Sequence, residues 1–372
     1  MEKLRVGVVG VGGAGRAHIS RLRRNRDVSE IVAFDVKPVG EIGVAVAASL
    51  DELLARVDAI SVCTPDHEHF DGIVRGLEAG KHVLVEKPMV ANHEEALRLK
   101  PHLDAHPQLV FGVHHQMRYS PAFAKARQLL TAGTLGKPFY LEANYWHDMR
   151  ERSTRFDDWR MEHGQSLLFG HACHSFDLLM WLLGEAPVVH KTYLSKRGFP
   201  EYKAAYTSAT TMLKFRGGIC AKTHVNSFCI FPQVNNLVIL ADEASYIDGL
   251  LFKNGRFEQV SDFFGDGPKE IALNITDIRL PNWAVSLGFG LYLKAFNAVF
   301  TRLMKHPDFG FRQYPLTVYN HDRACQVIID NFVGAALSRE EILVGYEDAT
   351  RVIKLCEETE ADGLAELASS VV

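Results

Sequence analysis

Apolar residues in the first 120 positions of the chain come in short runs that are separated by helix-length segments. The runs that predict buried strands are Val6–Val9, Ile31–Phe34, Ala59–Cys63, His82–Val85 and Leu109–Phe111. Between the last three of these runs, Phe70–Ala79 and Ala96–Leu99 have helical spacing. Strands that alternate with helices predict a parallel, doubly wound α/β sheet, and such a sheet binds its ligands at the carboxyl ends of its strands.

The pattern changes beyond residue 120, where several strand-like runs follow one another with few helices between them. A helix over Ala122–Leu130, a strand over Phe139–Trp146 and a helix around His174–Leu183 come first. Strand-like runs then lie at 207–215, 219–228, 236–242 and 245–252, and helical spacing lies near 290–304, 321–336 and 345–360. This order predicts an α+β domain with a mostly antiparallel sheet. We therefore expect two domains, at 1–120 and 121–372.

Length and composition are typical of a globular protein. The chain has 372 residues, which is more than one hydrophobic core commonly serves. Its formal net charge of -4 gives no electrostatic reason to expect nucleic acid or a membrane surface as a partner. No apolar stretch approaches the length of a membrane span, and the six cysteines lack the CxxC spacing typical of zinc sites. We expect a cytoplasmic protein.

A glycine-rich loop, Gly10-Val11-Gly12-Gly13-Ala14-Gly15, joins the first predicted strand to a helix. In this spacing the first glycine permits a tight turn, the second admits a pyrophosphate and the third lets the helix pack against the strand. The helix N-terminus offers free N–H groups to the phosphates. Asp35 follows the second strand, twenty residues after Gly15, where its carboxylate can accept hydrogen bonds from the adenosine ribose. The pattern predicts NAD as the cofactor, with NADP disfavoured because Asp35 repels a 2′-phosphate.

Two further motifs end predicted strands and therefore fall at the same edge of the sheet. Thr64-Pro65, with His67 shortly after it, ends one strand, and Glu86-Lys87-Pro88 ends the next. We expect all of these residues except Pro88 to contact the cofactor together with the glycine loop. Lys87 is also well placed to bond a substrate hydroxyl. A surface lysine is the alternative for the tripeptide alone, but the neighbouring dinucleotide motif favours an active site.

Histidines at the start of the helix near 174–183 are candidates for acid–base chemistry. His171 and His174 are three residues apart and so share one helix face, and histidine titrates near neutral pH. A metal site with His147 or His163 is conceivable, but two histidines without a clear third ligand lead us to predict no metal. The alternative is that His171 and His174 are core residues whose hydrogen bonds are satisfied within the protein. We expect His174 to act on the substrate, with His171 and His147 among the substrate contacts.

An arginine-rich loop precedes that helix. Its basic residues are Arg150, Arg152, Arg155 and Arg160, and three acidic residues lie among them. Arginine binds carboxylates and phosphates through paired N–H groups, which would suit an anionic sugar as substrate. A solvated loop with mixed ion pairs is the alternative. The candidate substrate contacts of this loop are Arg152, Arg155, Trp159 and Arg160.

Taken together, these features resemble the Gfo/Idh/MocA family of NAD(P)-dependent oxidoreductases. The matching motifs follow one another along the chain as Gly10-x-Gly12-x-x-Gly15, Cys63-Thr64-Pro65, Glu86-Lys87-Pro88, Arg118-Tyr119-Ser120-Pro121, Gly133-x-x-Gly136, Trp159-Arg160, His174-x-x-Asp177, Trp181-Leu182-Leu183-Gly184 and Tyr346-Glu347-Asp348. The resemblance implies a Rossmann domain plus a domain with a large open sheet, through which members often form dimers or tetramers. It also implies nicotinamide-dependent oxidation or reduction of a sugar, polyol or related compound.

The resemblance also implies roles for particular residues. In the family, the lysine of the EKP motif and the histidine of a DxxxH motif touch the reacting hydroxyl, which implies Lys87 and His174 here. Arg118 is expected to contact the substrate. Gly170 stands where the family has the aspartate, so we expect His174 to be neutral at pH 7. Two other functions in the family stay open: glycoside cleavage that uses NAD without net redox change, and regulation through dinucleotide binding alone.

Overall fold

A computed structural model of the chain describes residues 3–149, 166–197, 206–228, 234–260 and 321–369. Its first sheet consists of β1 (Leu4–Val9), β2 (Val28–Phe34), β3 (Ala45–Val46), β4 (Ala59–Val62), β5 (His82–Val85) and β6 (Phe111–Val113). These six strands are parallel and lie in the order β3-β2-β1-β4-β5-β6. The strand order reverses beside β1, and such a switch point is where doubly wound sheets bind ligands.

Four helices cover the two faces of this sheet, namely α1 (Gly13–Leu22), α2 (Leu50–Arg56), α3 (His69–Glu78) and α4 (His93–Ala105). The side chains of Ser49 and Asn92 cap α2 and α4 by accepting hydrogen bonds from backbone N–H groups in the first turn. All four residues of β4 are buried, as expected for a central parallel strand covered on both sides. The predicted doubly wound domain is confirmed. The short edge strand β3 was not anticipated.

The second sheet has eight described strands, namely β7 (Pro138–Trp146), β8 (Val189–Ser195), β9 (Ser208–Lys214), β10 (Cys220–Asn226), β11 (Val234–Ala241), β12 (Ser245–Ile247), β13 (Leu250–Lys253) and β14 (Arg256–Gln259). Their order is β14-β13-β12-β11-β7-β10-β9-β8. Only β7 and β10 pair in parallel among these described strands. The predicted α+β region with a mostly antiparallel sheet is confirmed.

One face of the second sheet packs on helices and the other is open. Ala221, Thr223 and Val225 of β10 are buried on the inner face, while the alternate residues of that strand are partly exposed. The outer face carries exposed apolar side chains on several strands, including Tyr193, Met212, Ile247, Leu250 and Phe252. We call these five residues the outer apolar patch.

Four more helices complete the described fold, namely α5 (Pro121–Thr131), α6 (Cys173–Leu183), α7 (His321–Ala336) and α8 (Tyr346–Ser369). Ion pairs tie α7 and α8 to the rest of the fold: Asp322 of α7 pairs with Arg24, two residues after α1, at 2.8 Å, and Asp362 of α8 pairs with Lys191 of β8 at 2.8 Å. The boundary at residue 120 stays a prediction, and the helical spacing near 290–304 lies outside the described residues. No helix in the described part of the chain is long and apolar enough to cross a membrane.

Candidate active site

The glycines of the first loop have two different environments. Gly10 has a φ of +88°, and a Cβ there would lie 2.8 Å from the backbone carbonyl of Cys63. A Cβ on Gly15 would overlap the carbonyl oxygen of Gly10. In contrast, a Cβ on Gly12 or Gly13 would meet no heavy atom within 4 Å. Two glycines are therefore required by contacts inside the fold, and two expose the backbone to a space that a ligand can enter.

Helix α1 begins at this exposed backbone without a side-chain cap, so its first N–H groups are open to an anion. Asp35 lies beside the loop at the end of β2. Its Oδ2 accepts a hydrogen bond from Val11 N at 2.7 Å, and its Oδ1 accepts one from Lys37 N at 2.8 Å. An open glycine backbone, an uncapped helix N-terminus and a fixed carboxylate fit the pyrophosphate and ribose of a dinucleotide.

The end of β4 is tied to the segment after β5 by a histidine that sequence analysis did not select. His67, which was predicted to contact the cofactor, is partly exposed in a short turn, and its Nδ1 lies 3.9 Å from Asp66 Oδ1. Two residues later, His69 is buried, with Nδ1 2.8 Å from Pro88 O and Nε2 2.9 Å from Thr64 O. The sequence signal that could have identified His69 is the pair of histidines in Asp66–His69. Spacing alone did not distinguish the exposed ring of His67 from the buried ring of His69.

Glu86 faces two buried histidines rather than open solvent. His18 Nε2 lies 2.9 Å and His114 Nδ1 lies 3.3 Å from the same oxygen, Oε1 of Glu86. His18 Nδ1 lies 2.7 Å from Ser61 Oγ in β4. The other Glu86 oxygen accepts a hydrogen bond from the backbone N of Lys87 at 3.2 Å. Glu86 was predicted to contact the cofactor, and the structure gives it these protein partners.

The protonation states in this cluster differ between the two histidines. Burial lowers the pKa of His114 to about 3, so its ring is neutral. Burial also acts against the charged form of His18, but its contacts with Cys63 and Glu86 outweigh burial and raise the pKa of His18 to about 10. Burial opposes ionisation of Glu86, yet the hydrogen bond and charge of His18 and the charge of Lys87 hold the pKa of its carboxyl well below the usual value. A charged His18–Glu86 pair beside a neutral His114 follows.

These three residues are also the one group in the described part of the chain whose ligand atoms lie close enough to hold a metal ion, within 4.8 Å of one another. The sequence predicted no metal and did not identify this group. The 2.9 Å contact between His18 Nε2 and Glu86 Oε1 is the length of a direct charged hydrogen bond. We therefore interpret the cluster as a proton-sharing network.

Lys87 projects from the end of β5 toward the second domain. Its Nζ donates a hydrogen bond of 2.9 Å to the backbone carbonyl oxygen of Gly170. Gly170 lies in a single π-helical turn, Leu168–Ala172, that leads directly into α6. Such turns occur frequently at functional sites. The lysine thus reaches the segment that carries both His171 and His174.

His174 is buried in a cluster of aromatic and histidine rings. Its ring stacks on Tyr145 with the centroids 5.4 Å apart and the planes 6° apart, and His115 approaches edge-on at 6.4 Å. Burial lowers the pKa of His174 well below its usual value, and the charges of Lys87, His115 and His171 act in the same direction. His174 Nδ1 has no hydrogen-bond partner among the described residues. A neutral imidazole keeps one nitrogen lone pair and so has the capacity to accept a proton.

Two of the predicted substrate contacts join this ring cluster. The His171 ring lies 5.0 Å from the Tyr145 ring, and the His147 ring lies 6.2 Å from each of them. His171 Nδ1 is 3.4 Å from Ser227 Oγ. Residues from β7, the segment directly after it, the π-helical turn and α6 therefore form one ring cluster, of which the sequence had indicated His147, His171 and His174 but not Tyr145.

Arg118 has protein partners of its own. Arg118 is 3% exposed, and its guanidinium donates to both carboxylate oxygens of Asp177 and, at 2.9 Å, to Asp348. Its predicted contact with substrate stays a prediction, while these bonds show that it joins α6 to α8. The predicted contacts Arg152, Arg155, Trp159 and Arg160, together with Arg150 and His163, lie outside the described residues.

Comparison with known proteins points to one family. A model described as "Oxidoreductase family, NAD-binding Rossmann fold" matches residues 4–115, and the "GFO/IDH/MocA C-terminal domain" model matches residues 123–247. Together they cover more than half of the chain.

Two curated relatives illustrate the range of activities. Inositol 2-dehydrogenase 1 of Saccharopolyspora erythraea is 32% identical over 209 residues, which are 52% of this chain and 59% of that protein. UDP-N-acetylglucosamine 3-dehydrogenase of Acidithiobacillus ferrooxidans is 32% identical over 192 residues, which are 50% and 57% of the two chains. The chain thus matches little more than half the length of these relatives.

Solved structures share the fold over nearly the whole chain. Scyllo-inositol dehydrogenase from Lactobacillus casei, with NAD(H) and scyllo-inositol bound, has a TM-score of 0.74 and 16% identity, covering 98% of both chains. UDP-N-acetylglucosamine 3-dehydrogenase from Acidithiobacillus ferrooxidans has a TM-score of 0.67 and 21% identity, covering 97% of this chain and 98% of that one. At these identities the likeness establishes the fold.

Proposed function

Because the chain belongs to the Gfo/Idh/MocA oxidoreductase family, we propose that it is an NAD-dependent dehydrogenase or reductase of a polyol, sugar or related hydroxyl compound. One arrangement carries this proposal. The Lys87 ammonium, at the carboxyl end of β5, bonds the turn that leads to the neutral His174, beside the crevice where the glycine loop opens. A cation and a base are thereby held together at the dinucleotide site.

The chemistry follows from these two groups. NAD, when bound, supplies the hydride acceptor. The substrate carbon can release hydride only as the hydroxyl proton leaves, and the neutral His174 takes that proton. Lys87 remains positively charged and stabilises the alkoxide that develops on the oxygen. In the reverse direction His174 returns the proton to the oxygen of the reduced carbonyl.

The ring cluster favours a substrate with both hydroxyls and an apolar ring face. Tyr145, His147 and His171 present ring surfaces beside His174. The C–H face of a cyclitol or pyranose packs on such rings, while its hydroxyls reach the ring nitrogens and Lys87. Two relatives whose names specify inositol and UDP-N-acetylglucosamine dehydrogenation support this substrate class.

Asp35 supports NAD rather than NADP as the cofactor. Its carboxylate is held beside the loop by Val11 N and Lys37 N, where a 2′-phosphate would meet a negative charge. Fluorescence titration with both reduced cofactors tests this preference. Tighter binding of NADPH than of NADH by the wild-type protein would exclude the proposed preference. Asp35→Ser is expected to narrow the difference in affinity between NADH and NADPH.

We further propose that the outer apolar patch joins copies of the chain. An open sheet face with Tyr193, Ile247 and Phe252 exposed at 52%, 41% and 38% is an unusual surface for a monomer. The resemblance to the family, whose members often pair through this sheet, supports a homodimer or homotetramer. The cytoplasmic location expected from composition stays a prediction.

A panel of cyclitols, sugars and sugar nucleotides, followed by absorbance at 340 nm with NAD, tests the function. We expect net NADH formation with at least one cyclitol or sugar. Cleavage of a glycoside that requires NAD but yields no net NADH would instead establish the glycosidase alternative. NAD binding with neither reaction, across the whole panel, would favour a regulatory protein.

A further inference from the structure

Two buried histidines lie on either side of Lys87. His18, on α1, and His69, at the start of α3, are each 1% exposed. His18 bridges β4 to the segment Glu86–Pro88 that follows β5, and His69 bridges Thr64, two residues after β4, to the same segment. Neither ring is among the groups assigned to the reacting oxygen.

His18 acts on the amino-terminal side of Lys87. Its Nδ1 lies 2.7 Å from Ser61 Oγ in β4, and its Nε2 lies 2.9 Å from Glu86 Oε1. The second Glu86 oxygen accepts the backbone N–H of Lys87 at 3.2 Å. A continuous set of hydrogen bonds therefore runs from β4 through His18 and Glu86 to the main chain of the lysine.

His69 acts on the carboxyl-terminal side. Its Nδ1 is 2.8 Å from the carbonyl oxygen of Pro88, and its Nε2 is 2.9 Å from the carbonyl oxygen of Thr64. A carbonyl oxygen only accepts hydrogen bonds, so both contacts are hydrogen bonds only when both ring nitrogens carry a proton. In a neutral ring, one of the two ring nitrogens would face its carbonyl oxygen with a lone pair instead of a proton. That contact between two lone pairs is repulsive. The geometry requires an imidazolium.

We propose that His18 and His69 are positioning residues that clamp Glu86–Pro88 against β4 and so hold the Lys87 ammonium at the substrate oxygen, with His69 as an imidazolium. This inference rests on the proposed function of Lys87. Nothing else among the described contacts bonds the Pro88 carbonyl, so losing the His69 bond frees the main chain directly after the lysine. A displacement of about 1 Å in a catalytic group costs on the order of 10²-fold in rate.

The ordinary alternative is that both rings only stabilise the core. Their loss would then lower the melting temperature but leave kcat of the folded enzyme unchanged. The clamp predicts instead that kcat falls in a correctly folded protein. The Lys87 ammonium would then act from a wrong or fluctuating position.

The test compares kcat, KM and NAD affinity of His69→Phe, His69→Gln and wild type, below their melting temperatures. His69→Phe keeps ring volume but loses both donors, and its kcat is expected to fall roughly 10- to 100-fold while the NAD dissociation constant changes much less. His69→Gln keeps a donor group and should recover part of kcat. His106→Phe, a partly exposed histidine after α4, is the matched control with wild-type kcat. His18→Gln should show the same loss in kcat.

Nitrogen-15 NMR of histidine-labelled protein gives a readout that does not depend on turnover. Two histidines with both ring nitrogens protonated are expected at neutral pH, His18 and His69, and one of these two signals should be absent from the His69→Gln spectrum. Wild-type kcat in His69→Phe, or an unprotonated His69 nitrogen, would overturn the clamp. If wild-type protein oxidises nothing in the substrate panel, the proposed function fails, and the NMR result alone decides the state of His69. If His69→Phe does not fold, His69→Gln and the spectrum decide.

Discussion

The ammonium of Lys87 bonds the main-chain carbonyl of Gly170, 83 residues further along the chain, at 2.9 Å. The family resemblance implies an aspartate at this position, and glycine leaves the main-chain carbonyl there without a neighbouring carboxylate of the same residue. A carbonyl dipole orients the ammonium without cancelling its charge, whereas an aspartate would neutralise it. In the proposed function, this leaves the ammonium charge to act on the oxygen of the substrate and to favour the developing alkoxide.

Replacing Lys87 by methionine tests the central assignment. Lys87→Met is expected to lower kcat by about 10²–10⁴-fold, the range for a lost proton-transfer or charge-stabilising group. NAD affinity should stay within a few-fold of wild type, because the pyrophosphate and ribose contacts proposed above lie at the glycine loop and Asp35. Steady-state kinetics and cofactor titration measure both. Lys100→Met, which removes a surface ion pair with Asp104, is the control. Retained turnover in Lys87→Met would place the active site elsewhere.

His174 and His171 are expected to differ in kinetic role. His174→Ala removes the proposed base and should lower kcat by roughly 10²–10⁴-fold. His171→Ala removes a ring contact made equally in the ground and transition states, so it should mainly raise KM. Separate determination of kcat and KM distinguishes them, with the partly exposed His102→Ala as control. A collapse of kcat in His171→Ala with normal kcat in His174→Ala would reverse the two roles.

Buried neutral histidines should make the fold sensitive to acid. The pKa of His114 falls from 6.5 in an unfolded chain to about 3 in the fold, so only the unfolded chain takes up its proton between these values. The unfolded state then binds more protons, and the free energy of unfolding falls as pH falls, by up to about 1.4 kcal/mol per pH unit for one group. Urea unfolding between pH 7 and 4 measures this slope.

The matched variant for this measurement is His114→Leu, which removes the titrating ring but keeps an apolar side chain. The free energy of unfolding of His114→Leu should depend less steeply on pH than that of wild type. The difference in slope corresponds to the uptake of up to one proton on unfolding. His102→Leu, on the surface of α4, should keep the wild-type slope. Equal slopes in wild type and His114→Leu would mean that His114 already carries a proton in the fold.

Removal of metal ions is expected to leave the protein unchanged. His18 and Glu86 use their facing atoms in a direct hydrogen bond, so dialysis against a chelator should alter neither kcat nor melting temperature. Elemental analysis of the dialysed and undialysed protein provides the comparison. About one zinc per chain in the wild type, absent from His114→Leu, would instead identify the three residues as a metal site.

Charge placed in the outer apolar patch should separate the subunits. Ile247 and Leu250 are paired across β12 and β13 and are 41% and 37% exposed. Ile247→Glu is expected to shift the mass measured by light scattering toward that of a monomer, since a buried carboxylate in an interface is costly. Lys214→Glu, on the outer face of β9 but outside the patch, is the control. An unchanged mass in both variants would place any interface elsewhere.

Local sequence was sufficient for the dinucleotide site, because each part of that motif acts on its near neighbours. Gly15 is required by its contact with Gly10 within one strand–turn–helix unit, and the period of apolar residues distinguishes its strand from its helix. The change from alternating elements to successive strands similarly predicted the second sheet. These features depend on spacing, and spacing can be seen in one sequence.

The partners of the charged and histidine side chains were decided by the tertiary structure. Arg118 bonds Asp177 and Asp348, Lys87 bonds Gly170, and His69 rather than His67 joins β4 to Pro88. Each of these bonds links residues 19 to 230 positions apart. Periodicity tells which side chains are buried, but a polar group's role depends on which distant group the fold brings within about 3 Å of it. The sequence alone determined where the candidate site lies, and the packing of the two sheets and their helices decided which side chains contact one another there.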